Sequence, residues 1–428
     1  MYIKDYIILF IIITIITCLI EKAFILPNIL FTFMWCFGAI LNLKHFAGIY
    51  GISRQTNIYI FISIITFNIT YLVCSKCYKV KINRYIHDIK FSSNKLFISN
   101  TISYVFMLPI LIKALMILNS LKWNLVLMRK FENPQYGLFT PFYAKMWAWI
   151  VYPVFMVTVI YTMVLIAHRK VKYKWIIMSI VNVGIYTALY GGRTAIVKLV
   201  FYFIFGMIIC NRDYINRAFR LLKKYGFLFL IVGCLLYLLT KFRSLAGLSV
   251  IENALIYFFG SFTYFDVISN SKKFMLLNNE RLYGRGFLGF LISPWMYIFQ
   301  KISKVNNITG EYLIKNVTDN FMMISDKIRY NAMASDLYVF WRDGGVYGIV
   351  IGHIFFAWLV VWSRKHAMAY KNMRWYAVYI FIVYILFTST MLYDLLSIQS
   401  GIMLFLLFFY SNKSQIGRKQ FHIIKLEK

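Results

Sequence analysis

The chain has 428 residues, of which 61% are hydrophobic and 14% charged, and it carries a formal net charge of +32. Soluble domains are about half apolar and about a quarter charged, so this composition excludes an ordinary soluble fold. The positive charge lies in short segments between apolar blocks, which excludes nucleic acid as the expected partner and is typical of loops that face the cytoplasm.

Apolar blocks of roughly 16 to 24 residues recur along the chain, and about 20 helical residues suffice to cross a bilayer core. They predict an all-α polytopic membrane protein with about 11 transmembrane helices, organised as a single integral membrane domain over residues 1–428. Glu21 and Lys22 follow the first block, where a cleaved signal peptide would end in small residues, so we predict a retained helix. The predicted spans are 6–20, 24–41, 57–74, 96–118, 144–167, 175–190, 195–210, 225–240, 346–362, 375–391 and 395–410.

Basic segments set the expected orientation, because loops rich in Lys and Arg stay in the cytoplasm. These segments are 75–95, 168–174, 211–224, 363–374 and 411–428. Placing them inside leaves residues 241–345 as one large extracytoplasmic loop of a multi-pass membrane protein. The apolar stretches 253–268 and 287–302 of this loop are too short or too interrupted for spans. They predict amphipathic helices on the membrane surface or re-entrant segments covered by protein.

Acidic residues are concentrated in this loop, which holds eight of the fifteen acids of the chain. Asp266 follows the aromatic run 257–265, and aromatic faces beside a carboxylate suit a sugar. Asp336 and Asp343 are seven residues apart and would share one face of a helix that enters the membrane. A carboxylate in this loop is a candidate general base toward a hydroxyl, and a helix cap or an ion pair is the alternative for each acid.

Arginines in and around the loop suggest an anionic ligand, because arginine is unusual on the outer side of a membrane protein. Arg193 follows the glycine pair 191–192 and opens a predicted helix, whose free N–H groups and guanidinium neighbour would suit a phosphate. The alternative is an interfacial arginine that contacts lipid headgroups. Four further arginines belong to the same set, with a structural role as the alternative for each: Arg243, Arg281, Arg285 and Arg342.

His353 lies inside a predicted span, where an ionisable side chain is either functional or held neutral by a backbone carbonyl. The glycines of 284–289 match the spacing of a dinucleotide-binding motif, but no strand or βαβ unit surrounds them, so we predict loop turns. The histidines have no mutual metal-binding spacing, and the sequence predicts neither a metal nor a cofactor.

Four segments together resemble the oligosaccharide repeat-unit polymerases, the O-antigen polymerase (Wzy) family. They are Gly-Gly-Arg-Thr at 191–194, Tyr-Phe-Asp at 264–266, Gly-Arg-Gly-Phe at 284–287, and residues 336–348. The last segment is similar to the family's Tyr-x-x-Asp-Phe-Gly-x-x-Gly entry to a late helix, with Gly344 in place of the usual aromatic residue.

The resemblance implies a metal-independent glycosyltransferase acting on undecaprenyl-pyrophosphate-linked oligosaccharides. It would act at the periplasmic face of a bacterial inner (cytoplasmic) membrane, which makes 241–345 a large periplasmic loop. Such an enzyme makes O antigen or a related polysaccharide of the lipopolysaccharide type, and a chain-length regulator is a candidate partner. Arg193 and Arg243 would bind the pyrophosphate, joined by Arg281, Arg285 and Arg342. The resemblance assigns acceptor activation to one of three acids: Asp266, Asp336 and Asp343.

Two other functions fit a protein of this kind. An O-antigen ligase also pairs many helices with a large outer loop, but a histidine is expected in that loop and residues 241–345 contain none. A flippase for lipid-linked oligosaccharides would be a transporter with short loops and internal symmetry, which the long loop and its clustered acids disfavour.

Overall fold

The structure is a computed structural model, and it describes most of the chain. The described residues are 2–21, 26–80, 89–123, 137–190, 192, 194–210, 248–274, 280–303, 309–330 and 335–413. The predicted span 225–240 lies outside them, as do Arg193 and Arg243.

The described residues are mainly helical. The helices are α1 (Ile3–Glu21), α2 (Pro27–Leu43), α3 (Arg54–Cys77), α4 (Ser93–Ser120), α5 (Pro141–Ala167, with a π turn at Trp147–Val151), α6 (Tyr173–Tyr190), α7 (Thr194–Cys210), α8 (Val250–Ser269), α9 (Gly289–Ser303), α10 (Gly310–Thr318), α11 (Asp336–Tyr370), α12 (Met373–Thr388) and α13 (Ile398–Phe409). Two antiparallel strand pairs accompany them: β1 (Ile89–Phe91) with β4 (Ser411–Lys413), and β2 (Met322–Met323) with β3 (Arg329–Tyr330).

Five helices of the described part are long and apolar enough to cross a membrane: α1, α3, α4, α5 and α11. Shorter apolar helices, of 10 to 17 residues, are α2, α7, α12 and α13. The prediction of an all-α membrane protein is therefore confirmed. The number of spans and the side of the membrane on which each loop lies stay predictions.

The chain is organised in two compact units, each formed by segments that are distant in sequence. The first, unit 1, comprises Met1–Lys79, Ser244–Lys365 and Ile385–Gly401, and the second, unit 2, comprises Val80–Arg243, His366–Tyr384 and Ile402–Lys428. The large loop predicted at 241–345 therefore belongs almost entirely to unit 1.

In unit 1, α2 packs closely against α8. A side chain at Gly38 would run into the rings of Phe259 and Phe262, so the glycine lets the two helices approach. The buried Asn42 joins them further, because its amide donates to the carbonyl of Phe259 at 3.0 Å and accepts from the hydroxyl of Thr263 at 2.6 Å. Helix α8 is thus largely covered by protein, and whether it is a re-entrant segment stays a prediction.

The start of α8 follows from its local sequence. The Ser249 hydroxyl accepts from the N–H of Glu252 at 3.2 Å, and the Glu252 carboxylate accepts from the N–H of Ser249 at 2.8 Å. This reciprocal capping box supplies partners for two N–H groups that the first helical turn leaves unpaired. The backbone hydrogen bond from Ser249 lowers the pKa of the exposed Glu252 carboxyl.

Helix α9 has one covered side and one exposed apolar side. Phe290 and Ser293 are buried. The exposed apolar residues recur at helical spacing and are Leu291, Trp295, Ile298, Phe299 and Ile302. This division is the pattern predicted for a helix that lies on a membrane surface.

In unit 2, buried amides link three apolar helices. Asn100 of α4 donates to Thr158 of α5 at 2.8 Å, and Asn182 of α6 donates to Asn100 at 2.9 Å. Tyr104 donates to Asn182 at 2.6 Å. Such bonds give polar side chains their partners where lipid offers none, and they hold apolar helices in register.

Candidate functional site

Helix α11 is broken at a glycine pair, and the break reverses the chain. Gly345 has φ +64° and ψ −137°, a conformation that side chains with a Cβ rarely adopt. In an unbroken helix Asp336 and His353 would lie about 25 Å apart, because each residue adds about 1.5 Å. Their closest side-chain atoms are instead 3.7 Å apart. Residues 336–343, the short arm, therefore fold back along residues 346–370, the long arm.

Two glycines of the long arm make this close packing possible. A Cβ at Gly348 would meet the carbonyl oxygen of Phe340, and one at Gly352 would meet the Phe340 ring. The Phe340 ring also lies edge-on to His353, with ring centroids 4.9 Å apart. Asp336 and Asp343 lie at the two ends of the short arm, where Asp336 faces His353 and Asp343 faces the loop 284–287.

Asp343 clamps the loop that contains the Gly-Arg-Gly-Phe segment. Its Oδ1 accepts from the N–H groups of Gly284 and Gly286, both at 2.9 Å, and its Oδ2 accepts from the N–H of Phe287 at 2.7 Å. Gly286 has no room for a side chain, since a Cβ would lie 2.6 Å from Oδ2. The loop therefore wraps the carboxylate. Gly284 and Gly286 are turn residues, as predicted, whereas Gly289 is the first residue of α9.

The same loop caps the end of the short arm. The last carbonyls of a helix lack partners within the helix. Here the carbonyl of Arg342 accepts from the N–H of Leu282 at 2.9 Å, and that of Asp343 from the N–H of Tyr283 at 3.2 Å. The carbonyl of Trp341 accepts from Nη1 of Arg281 at 3.0 Å. The loop and the short arm thus form one structural element.

Arg281 lies at the start of the long arm and is partly exposed. Its guanidinium stacks over the Trp341 ring, 5.2 Å from the centroid, and Nη2 lies 3.6 Å from where a Cβ of Gly345 would be. Val346 and Tyr347, the first residues of the long arm, are 41% and 81% exposed. A helix start presents N–H groups and the positive end of the helix dipole, so arginine and helix together favour an anion here.

The two neighbouring arginines have different surroundings. Arg285 is also partly exposed, and its Nε donates to the carbonyl of Leu282 at 3.0 Å. Arg342 is only 1% exposed, and it donates to the Tyr338 hydroxyl at 3.1 Å and to the carbonyl of Glu280 at 3.2 Å. Arg342 therefore supports the loop from inside, while Arg281 and Arg285 are partly accessible to a ligand.

Asp266, near the end of α8, directs its carboxylate to the start of α3. Its Oδ1 accepts from the hydroxyls of Ser53 and Thr56, each at 2.5 Å, and Ser53 is the N-cap of that helix. A carboxylate at a helix start is stabilised by the helix dipole. The buried Phe265, the residue before Asp266, contacts the Trp341 ring edge-on at 5.7 Å, and Arg281 lies over the same ring.

Asp336 and His353 form a second, buried pair within the reversal. Both side chains are fully buried, and Nδ1 of His353 lies 2.8 Å from the carbonyl of Ile349. The predicted alternative of a histidine bonded to a backbone carbonyl is thus found. The same histidine also meets an acid, and this contact could not be expected from the sequence because it depends on the reversal of the chain.

Lys198 in unit 2 is a buried cation that was not predicted from the sequence. It is 5% exposed, donates to the Tyr152 hydroxyl at 3.0 Å, and lies 5.2 Å from the centroid of the Tyr384 ring. The signal was available, because a lysine inside the apolar block 195–210 is costly in a membrane helix.

The candidate site therefore unites part of the predicted set. Arg281, Arg285, Arg342 and Asp343 come together at the break in α11. Among the described residues, no group of three or more His, Cys, Asp or Glu side chains is arranged to hold a metal ion. Comparison of the chain with protein-family models, with curated proteins and with solved structures finds no match in any of the three.

Proposed function

We propose that the protein is a membrane-embedded glycosyltransferase that polymerises oligosaccharide repeat units carried on undecaprenyl pyrophosphate. Its products would be O antigen or a related surface polysaccharide, made at the periplasmic face of a bacterial inner membrane. The observation that carries the proposal is the position of Arg281, stacked on Trp341 beside the exposed start of a membrane helix. The guanidinium of Arg281 and the N–H groups at the helix start can bind a pyrophosphate, and the Trp341 ring can pack against a sugar.

The reaction forms a bond between the anomeric carbon of the growing chain and a hydroxyl of the incoming unit. The bond from that carbon to the pyrophosphate breaks, and negative charge develops on the departing undecaprenyl pyrophosphate. Arg281 and Arg285 would stabilise this charge, because a planar guanidinium can donate two parallel hydrogen bonds to phosphate oxygens. Arg193 and Arg243 remain proposed pyrophosphate ligands outside the described residues.

The acceptor hydroxyl must lose a proton, and the three candidate acids differ in how exposed they are. Asp336 and Asp343 are 0% and 4% exposed, whereas Asp266 is partly exposed. The Ser53 and Thr56 hydroxyls orient the carboxylate of Asp266. Asp266 is therefore the acid best suited to act as general base, and we propose supporting roles for the other two.

The surface lipid of a strain that lacks the gene distinguishes the proposed polymerase from a ligase and from a flippase. Loss of a polymerase leaves surface lipid capped with single repeat units. Loss of a ligase leaves the core lipid unmodified, and loss of a flippase makes lipid-linked units accumulate in the cytoplasm. Either of the last two results would contradict the polymerase proposal.

Replacing Arg281 with alanine should abolish long polymer and leave single units on the surface lipid. Removing one donor that stabilises developing charge lowers turnover by about 100-fold or more. Arg281→Lys should recover only part of the activity, because lysine keeps the positive charge but lacks the planar guanidinium that donates two parallel hydrogen bonds. The readout is the distribution of polysaccharide lengths on a gel, at equal amounts of membrane-inserted protein.

Arg329→Ala is the matched control for this substitution. Arg329 is an exposed arginine of the same unit, in β3, and it lies outside the α11 break. We expect normal polymer from it. Long polymer at the normal level from Arg281→Ala would refute the assignment of Arg281 to the pyrophosphate.

A further inference from the structure

The buried pair formed by Asp336 and His353 brings together atoms that both accept hydrogen bonds. Oδ2 of Asp336 and Nε2 of His353 are 3.7 Å apart, and both side chains are 0% exposed. Among the described residues, neither carboxylate oxygen nor Nε2 has a partner at hydrogen-bond geometry. Each arm of the reversal contributes one member of the pair.

The position of His353 fixes which of its ring nitrogens carries hydrogen. Nδ1 lies 2.8 Å from the carbonyl oxygen of Ile349, and a carbonyl oxygen only accepts, so Nδ1 must donate. A neutral ring therefore directs the lone pair of Nε2 toward Asp336. Trp35 and Phe340 hold the ring edge-on, with centroids at 5.4 and 4.9 Å.

An ionised Asp336 would face this lone pair in a fully buried site, where the Ser389 hydroxyl and nearby backbone N–H groups favour the charged form less than burial disfavours it. Burying a polar group without a hydrogen bond costs roughly 2–7 kcal/mol, and an unpaired buried charge costs more. One proton on Asp336 removes the buried charge, and the resulting acid can donate to Nε2 once the two atoms close from 3.7 Å to hydrogen-bond distance. We infer that Asp336 and His353 form a proton-binding site, in which a single proton on Asp336 joins the short arm to the long arm of α11.

The side chains around the pair do not take up or release the proton in its place. The side chains that face it are Phe31 and Trp35 from α2, Phe340 from the short arm, and Ser389 and Tyr393 from the segment after α12. Burial raises the pKa of Tyr393, whose hydroxyl donates to a backbone carbonyl at 3.1 Å and stays neutral. Asp343, the other acid of the short arm, is held by three N–H groups.

The proton has a structural consequence for the arms. When it leaves at alkaline pH, two acceptors and a buried negative charge face each other across the reversal. The short arm is then held less firmly, and so is the turn at Gly345 beside Arg281. The site is thus a pH-sensitive latch, and it does not depend on the reaction that the protein catalyses.

The test compares the wild type with Asp336→Asn between about pH 6 and pH 10, on purified protein in detergent. The amide of the variant can donate to Nε2 at every pH and does not titrate. The thermal midpoint of the wild type should therefore fall at alkaline pH more than that of the variant. In infrared spectra at neutral pH, the wild type should have the carbonyl band of a buried carboxylic acid, and Asp336→Asn should lack it.

Two further variants keep the test decisive. His353→Leu removes the acceptor of the Asp336 proton, so its acid band should shift away from the wild-type frequency, and this shift is the readout if Asp336→Asn does not fold. Asp319→Asn alters an exposed acid of the same unit and should follow the wild-type curve. Identical pH curves for the wild type and Asp336→Asn would overturn the inference, as would the absence of the acid band from the wild type.

Discussion

Replacing Asp343 with alanine should destabilise the protein by about 3–6 kcal/mol, since three N–H groups lose their acceptor and each loss costs about 1–3 kcal/mol, least where water can reach the group. The N–H of Gly286 is buried, and those of Gly284 and Phe287 are partly buried. Alanine offers none of them an acceptor and leaves a gap inside the loop. The free energy of unfolding of the purified protein in detergent measures the loss.

Asp319→Ala is the control, because Asp319 is exposed at the end of α10. Substitutions of exposed side chains usually change stability by less than about 0.5 kcal/mol. If Asp343→Ala were as stable as Asp319→Ala, the carboxylate would not be the clamp of the loop. Its buried position would then need another explanation.

Replacing Gly348 with alanine should separate the two arms of α11. The added Cβ would clash with the carbonyl oxygen of Phe340, and a backbone atom of a packed helix cannot move away as a flexible side chain can. Overpacking of this kind costs about 1–3 kcal/mol and occasionally more. A lower thermal midpoint and increased protease cleavage near residues 336–345 would report it.

Gly184→Ala provides the matched control. Gly184 lies within α6, and no atom comes within 4 Å of the position that its Cβ would take. Alanine there should be neutral or stabilising by up to about 1 kcal/mol, because alanine favours helix more than glycine does. Equal stability of Gly348→Ala and Gly184→Ala would contradict the tight packing of the short arm on the long arm.

The helices could be predicted from the sequence because their signal is local. Each apolar block is long enough to be recognised alone, and described helices overlap every predicted span except 225–240, which lies outside the described residues. The helical character of 253–268 and 287–302 was predicted on the same basis. The sequence could not predict whether protein covers these two segments, because the covering residues are distant in sequence. An example is Gly38 of α2, which packs on the Phe259 ring of α8.

The roles of the site residues could be predicted only in part. Arginines near the loop pointed to Arg281 and Arg285, and the structure leaves both partly exposed. Nothing in the sequence indicated that Asp343 would accept three backbone N–H groups, because backbone donors carry no residue signature. Nor did it indicate that Gly344 and Gly345 reverse the chain, since a glycine pair before an apolar block equally predicts the end of a loop.

The most direct test of the central proposal is a reconstitution. The purified protein is placed in proteoliposomes with lipid-linked repeat units, and the saccharide lengths are read on a gel. We expect the wild type and Arg329→Ala to build a ladder of polymers, and Arg281→Ala to leave single units. Folded wild-type protein that moves the units across the bilayer, or leaves them at one repeat, would contradict the proposed polymerase.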